Sequence, residues 1–295
     1  MNREILLAGL LSLSQLVFAQ NNKDSIYFVK DTLKVGGFII IREPSINTPQ
    51  EKVLKEVDRW GNTVISYKRT SKKKNKNITT YWFDLDLGFA NYRDLTNYPQ
   101  ARTGSYLTIM RPGDPGISEA NTTLNTGRSS NVNLWIFMQR LNISKHVLNF
   151  KYGIGWEMYN FRYDSRISFR TSPQPMAFND TIGGFSKNKL FAQYITIPLM
   201  ININTRPNSN RGFILSAGVS AGYLVASRNK QISDERGKQK YKGDLAMQPW
   251  RLAAIGEIGL GKVRLYGSYS LNRLQKEYTR MEQYPYAIGI RLNSW

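Results

Sequence analysis

The 295-residue chain contains no cysteine and a single histidine, His146. The absence of cysteine excludes disulfide-stabilised folds, thiolate metal sites and cysteine nucleophiles. One histidine leaves nucleophilic catalysis and histidine-based metal sites without most of the residues that they require. We therefore expect a protein that is not an enzyme and that holds neither a cofactor nor a metal ion.

Acidic residues are scarce: 21 Asp and Glu face 41 Lys and Arg, which gives a formal net charge of +20. Such an excess favours polyanionic partners, among them nucleic acid, lipopolysaccharide and acidic phospholipid. The first residues distinguish between these partners. Arg3 precedes an apolar stretch from Ile5 to Phe18, and Val17 and Ala19 follow an A-x-A-like pattern. We interpret residues 1–19 as a cleaved secretory signal.

A membrane anchor is the alternative for this stretch, but it is short for a bilayer and is interrupted by Ser12, Ser14 and Gln15. Export argues against a nucleic-acid partner. The expected partners are then outer-membrane lipid, lipopolysaccharide and a protein of the cell envelope.

Beyond residue 19 no segment approaches the roughly 20 apolar residues of a membrane helix. Period-two alternation recurs instead, which is typical of strands with two unlike faces. The first strand places Tyr81, Phe83, Leu85, Leu87 and Phe89 on one face and Asp84, Asp86, Gly88 and Ala90 on the other. The next places Val132, Leu134, Ile136 and Met138 together, and six further segments begin near Leu148, Leu190, Phe213, Trp250, Val263 and Tyr284. Eight segments of about ten residues fit tilted transmembrane strands.

The connections between these segments alternate in length, as they do in outer-membrane barrels. Long connections are predicted at residues 93–128, 164–187, 228–248 and 274–283, and short ones at 141–146, 204–211 and around Gly261. The sequence therefore predicts an all-β fold, an eight-stranded antiparallel transmembrane β-barrel of the cell outer membrane with its long loops outside. A short periplasmic N-terminal segment precedes the barrel.

Residues 20–78 form that segment, and residues 79–295 form the barrel. The segment contains a predicted hairpin that turns at Gly36 and Gly37, a third strand after Gly61 and Asn62, and a basic linker from Lys68 to Asn77. A partly ordered leader is the other interpretation. The final segment is expected to close the barrel, with Trp295 near one membrane interface.

Strand parity also predicts which charged residues point into the barrel. They are Asp84, Asp86, Lys151, Glu157, Arg251, Glu257, Arg264 and Arg291. An eight-stranded barrel is only wide enough for side chains, so we interpret these balanced charges as a packed structural network. A proton or ion path is the alternative. Pro198 within a strand predicts a β-bulge, and His146 is expected in a solvated turn.

Two features of the long connections concern partners. The third long loop carries Arg228, Lys230, Arg236, Lys238, Lys240 and Lys242, which would meet lipopolysaccharide phosphates at the outer surface. Tyr98 and Tyr106 in the first long loop are candidates for contact with a protein partner. For both features, a solvated loop without a partner is the alternative.

Several stretches, taken in order, resemble a known family. They include WFDLDLGFANY, GIGWEMYNFRY, YITIPLMININ, GYLVASR and YPYAIGIRL. Together they are similar to the outer-membrane β-barrel proteins of Bacteroidetes, the PorT-like group, over residues 81–292. The resemblance implies a barrel in the outer membrane and supplies no catalytic residues.

The functional hypothesis from the sequence is a non-enzymatic outer-membrane barrel with a structural, interaction or secretion-accessory role. A small-solute pore or transporter is the alternative, and a lipid-modifying barrel enzyme is the third. A wide lumen lined by unbalanced charge would favour the pore.

Overall fold

A computed structural model describes most of the chain beyond residue 30. The described residues are 31–35, 38–42, 52–57, 63–68, 76–114, 116–181, 184–207, 212–260 and 263–292. They fall into two compact units, Met1–Lys74 and Asn75–Trp295. The predicted signal at residues 1–19, the lysine run at 72–74 and Trp295 lie outside the described residues.

The N-terminal unit contains two antiparallel hairpins. Strand β1 (Asp31–Val35) pairs with β2 (Phe38–Arg42), and Val35 lies opposite Phe38. This pairing confirms the predicted hairpin, and the predicted turn residues Gly36 and Gly37 lie outside the described residues. Strand β3 (Lys52–Val57) pairs with β4 (Thr63–Lys68), so the predicted third strand belongs to a second hairpin whose first strand the sequence pattern did not reveal.

The second unit is built on a closed ring of eight antiparallel strands, as predicted. Each strand pairs with the next along the chain once the short strands of the loops are left out, and the last barrel strand pairs with the first. The ring consists of β5 (Ile78–Asp94), β6 (Ser130–Ser144), β7 (Leu148–Tyr163), β10 (Lys187–Asn204), β11 (Phe213–Ser233), β13 (Trp250–Leu260), β14 (Val263–Ser270) and β15 (Gln283–Leu292).

Side chains alternate between the two faces of this sheet. On β10 the outward-facing Ile195, Ile197, Leu199, Ile201 and Ile203 are between 40% and 49% exposed, whereas the residues between them are buried. Soluble proteins rarely expose such a belt of aliphatic side chains, whereas it matches the hydrocarbon of a bilayer.

One register irregularity moves residues between the faces. Phe83 of β5 and Ile136 of β6 are both skipped by the ladder, since Trp82 pairs with Phe137 and Asp84 with Trp135. Phe83 takes a positive φ of 58°. The irregularity exchanges the inward and outward faces, so Met138 is only 1% exposed and lies inside the barrel. The predicted outward position of Met138 is therefore wrong.

Pro198 does not produce the predicted bulge. It lies in register opposite Ser220 of β11, and the register shift between β10 and β11 falls at Gln193 and Tyr194. On the β7 side, paired residues resume at Thr196 and Leu199, on either side of the proline. A gap in one ladder accommodates the missing N–H without an extra residue, so the predicted bulge at Pro198 is wrong.

The connections alternate in length as predicted. At one end of the barrel, β6 and β7 are joined by a three-residue connection, 145–147, in which Lys145 and His146 have φ values of 49° and 57°. Two consecutive positive φ angles indicate a type I′ hairpin turn, and the Val147 N–H closes it by donating to the Ser144 carbonyl at 3.0 Å. His146 is thus a turn residue, as expected.

At the other end, the long connections contain ordered structure. They hold two short helices (Tyr98–Ala101 and Glu119–Thr122), the hairpin of β8 (Ile167–Arg170) and β9 (Met176–Asn179), and β12 (Gly237–Lys242). The four long connections join β5 to β6, β7 to β10, β11 to β13 and β14 to β15, and we call them together the cap. The predicted third loop is in fact a hairpin, because β11 continues to Ser233 and pairs with β12. No helix within the described ranges is long and apolar enough to cross a membrane.

Candidate functional site

The structure brings the predicted charged residues together inside the barrel. Each is at most 8% exposed. They are Asp84, Asp86, Lys151, Glu157, Arg251, Glu257, Arg264 and Arg291. Strand parity places them there, because each belongs to the face opposite the exposed aliphatic side chains. Four acids and four bases share this interior.

Arg291 contacts two carboxylates of the interior. Its Nε and Nη2 donate to the two carboxylate oxygens of Asp86 at 2.6 and 2.8 Å, and its Nη1 donates to Glu257 Oε1 at 2.9 Å. The paired contact to Asp86 has the two-bond geometry that a planar guanidinium forms with a carboxylate. Trp135 adds a further donor, because its Nε1 lies 2.7 Å from Asp86 Oδ2.

Glu257 receives three cations. Besides Arg291, the Lys151 ammonium forms a direct ion pair with it, and Arg264 Nη1 lies 3.6 Å from Oε1. Lys151 belongs to β7 and Glu257 to β13, so this contact bridges the lumen from one wall to another. Burying a carboxylate without a partner costs free energy, and the three surrounding cations offset that cost at Glu257.

A second pair lies in the same interior. Arg251 Nη1 is 2.7 Å from Glu157 Oε2, and the Thr196 hydroxyl donates to the same oxygen at 3.3 Å. The Arg251 guanidinium also lies 4.9 Å from the ring centre of Tyr159. Asp84 is 3% exposed and adds its charge to the field around Arg291.

Neutral polar side chains also occupy the barrel interior, and the sequence pattern did not single them out. The Tyr266 hydroxyl donates to Asn131 at 2.6 Å, and Asn131 donates to Asn133 at 2.9 Å. Tyr266 lies over Gly88 and Gly289, where an added Cβ would meet its hydroxyl oxygen at 2.5 Å and its ring carbon Cε1 at 2.7 Å. Strand parity predicts their inward positions, because these residues share the inward face with the charged residues.

Little space remains among these side chains. A cavity of about 20 Å³ lies beside Asp86, Trp135, Glu157 and Arg291. This volume is enough for about one water molecule. At this depth the interior is occupied by protein.

The cap closes the barrel end with an apolar core. Its members come from the strand ends and from all four long connections, and Tyr106, Phe161, Phe169, Leu245, Met247 and Met281 are at most 2% exposed. Phe169 of β8 packs on Tyr163 of β7 with ring centres 5.6 Å apart, and Tyr106 donates to the Leu245 carbonyl at 3.3 Å. The long connections are thus held down as a compact layer.

Tyr98 and Tyr106 belong to this layer and are not free for a partner. They are 7% and 1% exposed. Burial raises the pKa of Tyr106 well above its usual value, and burial followed by the hydrogen bond to Asp94 does the same for the pKa of Tyr98. The expectation that these two tyrosines are exposed is wrong, because the loop folds inward over the barrel mouth.

His146 lies far from any candidate chemistry. Its turn is at the opposite barrel end from the cap, where its backbone N–H donates to Asn142 Oδ1 at 2.7 Å. Across the described part of the chain, no group of three or more His, Asp or Glu side chains is arranged to hold a metal ion.

A closed eight-stranded sheet, an aliphatic belt facing outward and a polar interior together define a transmembrane β-barrel of the outer-membrane type. Residues 118–276 match the family described as outer membrane protein beta-barrel domain, and the chain belongs to that family. The match spans more than half of the chain, and the structure adds β5 and β15, which close the ring. The protein is located in the outer membrane. Barrels of this class have their long loops outside the cell, and the outward orientation of the cap stays a prediction based on that rule. A search of curated proteins found no match.

Proposed function

We propose that the protein is a non-conducting, non-enzymatic barrel with a structural or interaction role in the outer membrane. One observation carries this proposal: the passage through the barrel is filled at two depths. The paired charges occupy the membrane level, with a cavity of about 20 Å³ beside them, and the apolar core of the cap covers the outer mouth. In such a barrel the surface is available for contact with partners, and the side chains of the interior stabilise the fold.

The cap is the surface that we assign to an envelope protein partner. Ile109 and Met110 lie in the first long connection and are 53% and 51% exposed, although Tyr106, Leu107 and Ile117 of the same connection are buried. Adjacent exposed apolar side chains on an otherwise packed surface are a common mark of protein contact sites. A secretion-accessory role of the PorT-like kind fits such a contact and is the finer form of the proposal.

Planar-bilayer recording of the purified protein tests the non-conducting interior. We expect no stable current, whereas an open porin reconstituted in the same bilayers conducts. A steady, large conductance of the unmodified protein would overturn the proposal in favour of the small-solute pore.

Co-purification from native membranes tests the partner surface. We expect a protein that accompanies the unmodified barrel to be lost from the double variant Ile109→Asp, Met110→Asp, and to be retained by Arg111→Gln, which changes an exposed neighbour. Heat-modifiable migration on gels checks that all three proteins are folded. Identical partners for the double variant and the unmodified protein would refute the assignment of this surface.

A further inference from the structure

A row of cations crosses the outward face of the sheet above the membrane belt. Lys189 of β10 lies directly opposite Arg162 of β7 on one side and opposite Lys230 of β11 on the other. Lys230 in turn lies opposite Lys240 of β12. Four adjacent strands therefore place four positive side chains side by side, and none of these side chains is buried.

The rows on either side extend the same surface. One contains Arg228 opposite Lys242, and the other contains Lys187 and Lys238, each opposite Ile232. We call these cations the basic ladder: Arg162, Lys187, Lys189, Arg228, Lys230, Lys238, Lys240 and Lys242. It draws together positive charge that the sequence distributes over residues 162 to 242.

Like charges directly opposite each other across strands are unfavourable, so this arrangement calls for an anion. Two hydrogen bonds of the ladder have neutral acceptors: Arg162 Nη2 donates to the Ser186 carbonyl and Lys189 Nζ to Asn160 Oδ1, both at 2.6 Å. The Nε atoms of Arg162 and Arg228 have no acceptor within the described part of the chain. Arg228 instead stacks on Phe191, with 4.1 Å between its guanidinium carbon and the ring centre.

The ladder lies at a defined height above the bilayer. An outward-facing row of Trp156, Ile195, Tyr223 and Trp250 crosses four barrel strands below it, and the Tyr223 and Trp250 rings lie 4.9 Å apart. Aromatic side chains of this kind mark the membrane interface. Lys189 is six residues beyond Ile195, which corresponds to about 15 Å along the membrane normal for a strand tilted by about 40°.

From this charge, height and orientation we infer that the basic ladder binds the phosphorylated headgroup of an outer-leaflet glycolipid, of which lipopolysaccharide is the type. The acyl chains of such a lipid lie against the aliphatic belt below the aromatic row, and its phosphates lie at the level of the ladder. The inference goes beyond the non-conducting interior, because it concerns the outer wall of the barrel and stands whether or not the lumen conducts.

Two matched triple variants separate the ladder from general surface charge. The ladder variant is Lys189→Gln, Lys230→Gln, Lys240→Gln. The control variant is Arg93→Gln, Arg111→Gln, Arg166→Gln, which removes the same charge from exposed positions outside the ladder. Because the ladder residues repel one another, we expect the ladder variant without lipid to melt at the same temperature as the unmodified barrel or higher.

The measurement is the Tm of the folded protein in detergent with added lipopolysaccharide, with the same lipopolysaccharide after dephosphorylation, or with inorganic phosphate. Lipopolysaccharide should raise the Tm of the unmodified and control proteins by about 3 °C or more, and that of the ladder variant by less than about 1 °C. Dephosphorylated lipid and inorganic phosphate should give at most a third of the full shift.

Three results would overturn the inference. They are no shift of the unmodified protein with lipopolysaccharide, an undiminished shift of the ladder variant, and a full shift with either inorganic phosphate or dephosphorylated lipid. The first would point to another anionic occupant, such as an acidic protein surface. If the triple variant does not fold, Lys240→Gln on β12 replaces it and should lower the shift, whereas an unchanged shift would again contradict the inference.

Discussion

The barrel interior and the cap are both buried, yet they are built from opposite chemistry. At the membrane level the interior holds charged pairs such as Arg291 with Asp86, while the cap holds an apolar core that includes Phe169 and Met247. The surroundings explain the difference. Lipid outside the barrel takes the apolar face of each strand and leaves the polar face for the interior, whereas the cap lies in water and can form a core like that of a soluble domain.

The two regions also differ in how their stability depends on single residues. A buried ion pair adds little stability compared with an apolar pair of equal size, but the loss of one partner leaves an uncompensated charge. When a side chain is removed from an apolar core, the loss of stability follows the contacts that it made and the volume of the cavity that it leaves. The interior should therefore respond to small chemical changes, and the cap to changes in size.

The largest effect is expected for Glu257→Gln. The substitution keeps the shape of the side chain but leaves Lys151, Arg291 and Arg264 around a neutral amide. We expect a loss of about 3–5 kcal/mol in the free energy of unfolding, since buried charges lose their partner. Denaturant unfolding of the reconstituted barrel, followed by tryptophan fluorescence, measures it.

Glu119→Gln is the control, because Glu119 is exposed in a cap helix and the same chemical change there should be almost silent. Export and folding of Glu257→Gln should remain detectable by heat-modifiable migration. Equal stability of the two variants would show that the charge network contributes nothing to holding the interior together.

An intermediate and local effect is expected for Phe169→Ala in the cap. Phe169 is 1% exposed and packs on Tyr163, so its removal opens a cavity and costs about 3 kcal/mol. The cap should loosen while the barrel wall stays closed. Protease applied to intact cells should then cleave faster near the exposed Arg111 and Lys238, with heat-modifiable migration unchanged.

Ile109→Ala provides the matched control, because Ile109 is an apolar cap residue that is 53% exposed. Its cleavage rate should equal that of the unmodified protein. If Phe169→Ala abolished the heat-modifiable form as well, the cap and the wall would unfold as one unit and the distinction between them would fail.

The contrast also explains what the sequence could and could not predict. Alternation along residues such as Leu199 and Met200 reports directly on two faces, so the eight strands and the inward charges were predictable. Register irregularities leave no such signal: nothing local indicates that Phe83 and Ile136 are skipped, and Met138 was therefore assigned to the wrong face.

The cap was predictable only in its position. Its core joins residues far apart along the chain, such as Tyr106 and Leu245, and polar connecting sequence conceals that contact. The extension of β11 into a hairpin with β12 was likewise missed, because lysine-rich strands read as loops. For the same reason the basic ladder becomes visible only when the register places Lys189, Lys230 and Lys240 in one row.

The smallest effect is expected for an ion pair of similar length outside the interior. Arg273 Nη2 lies 2.6 Å from Glu282 Oε1, and Arg251 Nη1 lies 2.7 Å from Glu157 Oε2. The first pair has side chains that are 31% and 36% exposed, and the second has side chains that are 4% and 2% exposed. Distance alone would therefore rank the two pairs as equal, so burial decides between them.

Water screens the exposed charges and solvates whichever partner remains, so Arg273→Gln should cost about 0.2–1 kcal/mol. Arg251→Gln strands Glu157 in the interior and should cost several times more. Denaturant unfolding of both variants in low and high salt gives the comparison: added salt should reduce the small effect of Arg273→Gln and leave that of Arg251→Gln nearly unchanged, because buried pairs are poorly screened. Equal costs for the two substitutions would mean that water reaches Glu157, and the filled interior inferred from the side-chain packing would then be incorrect.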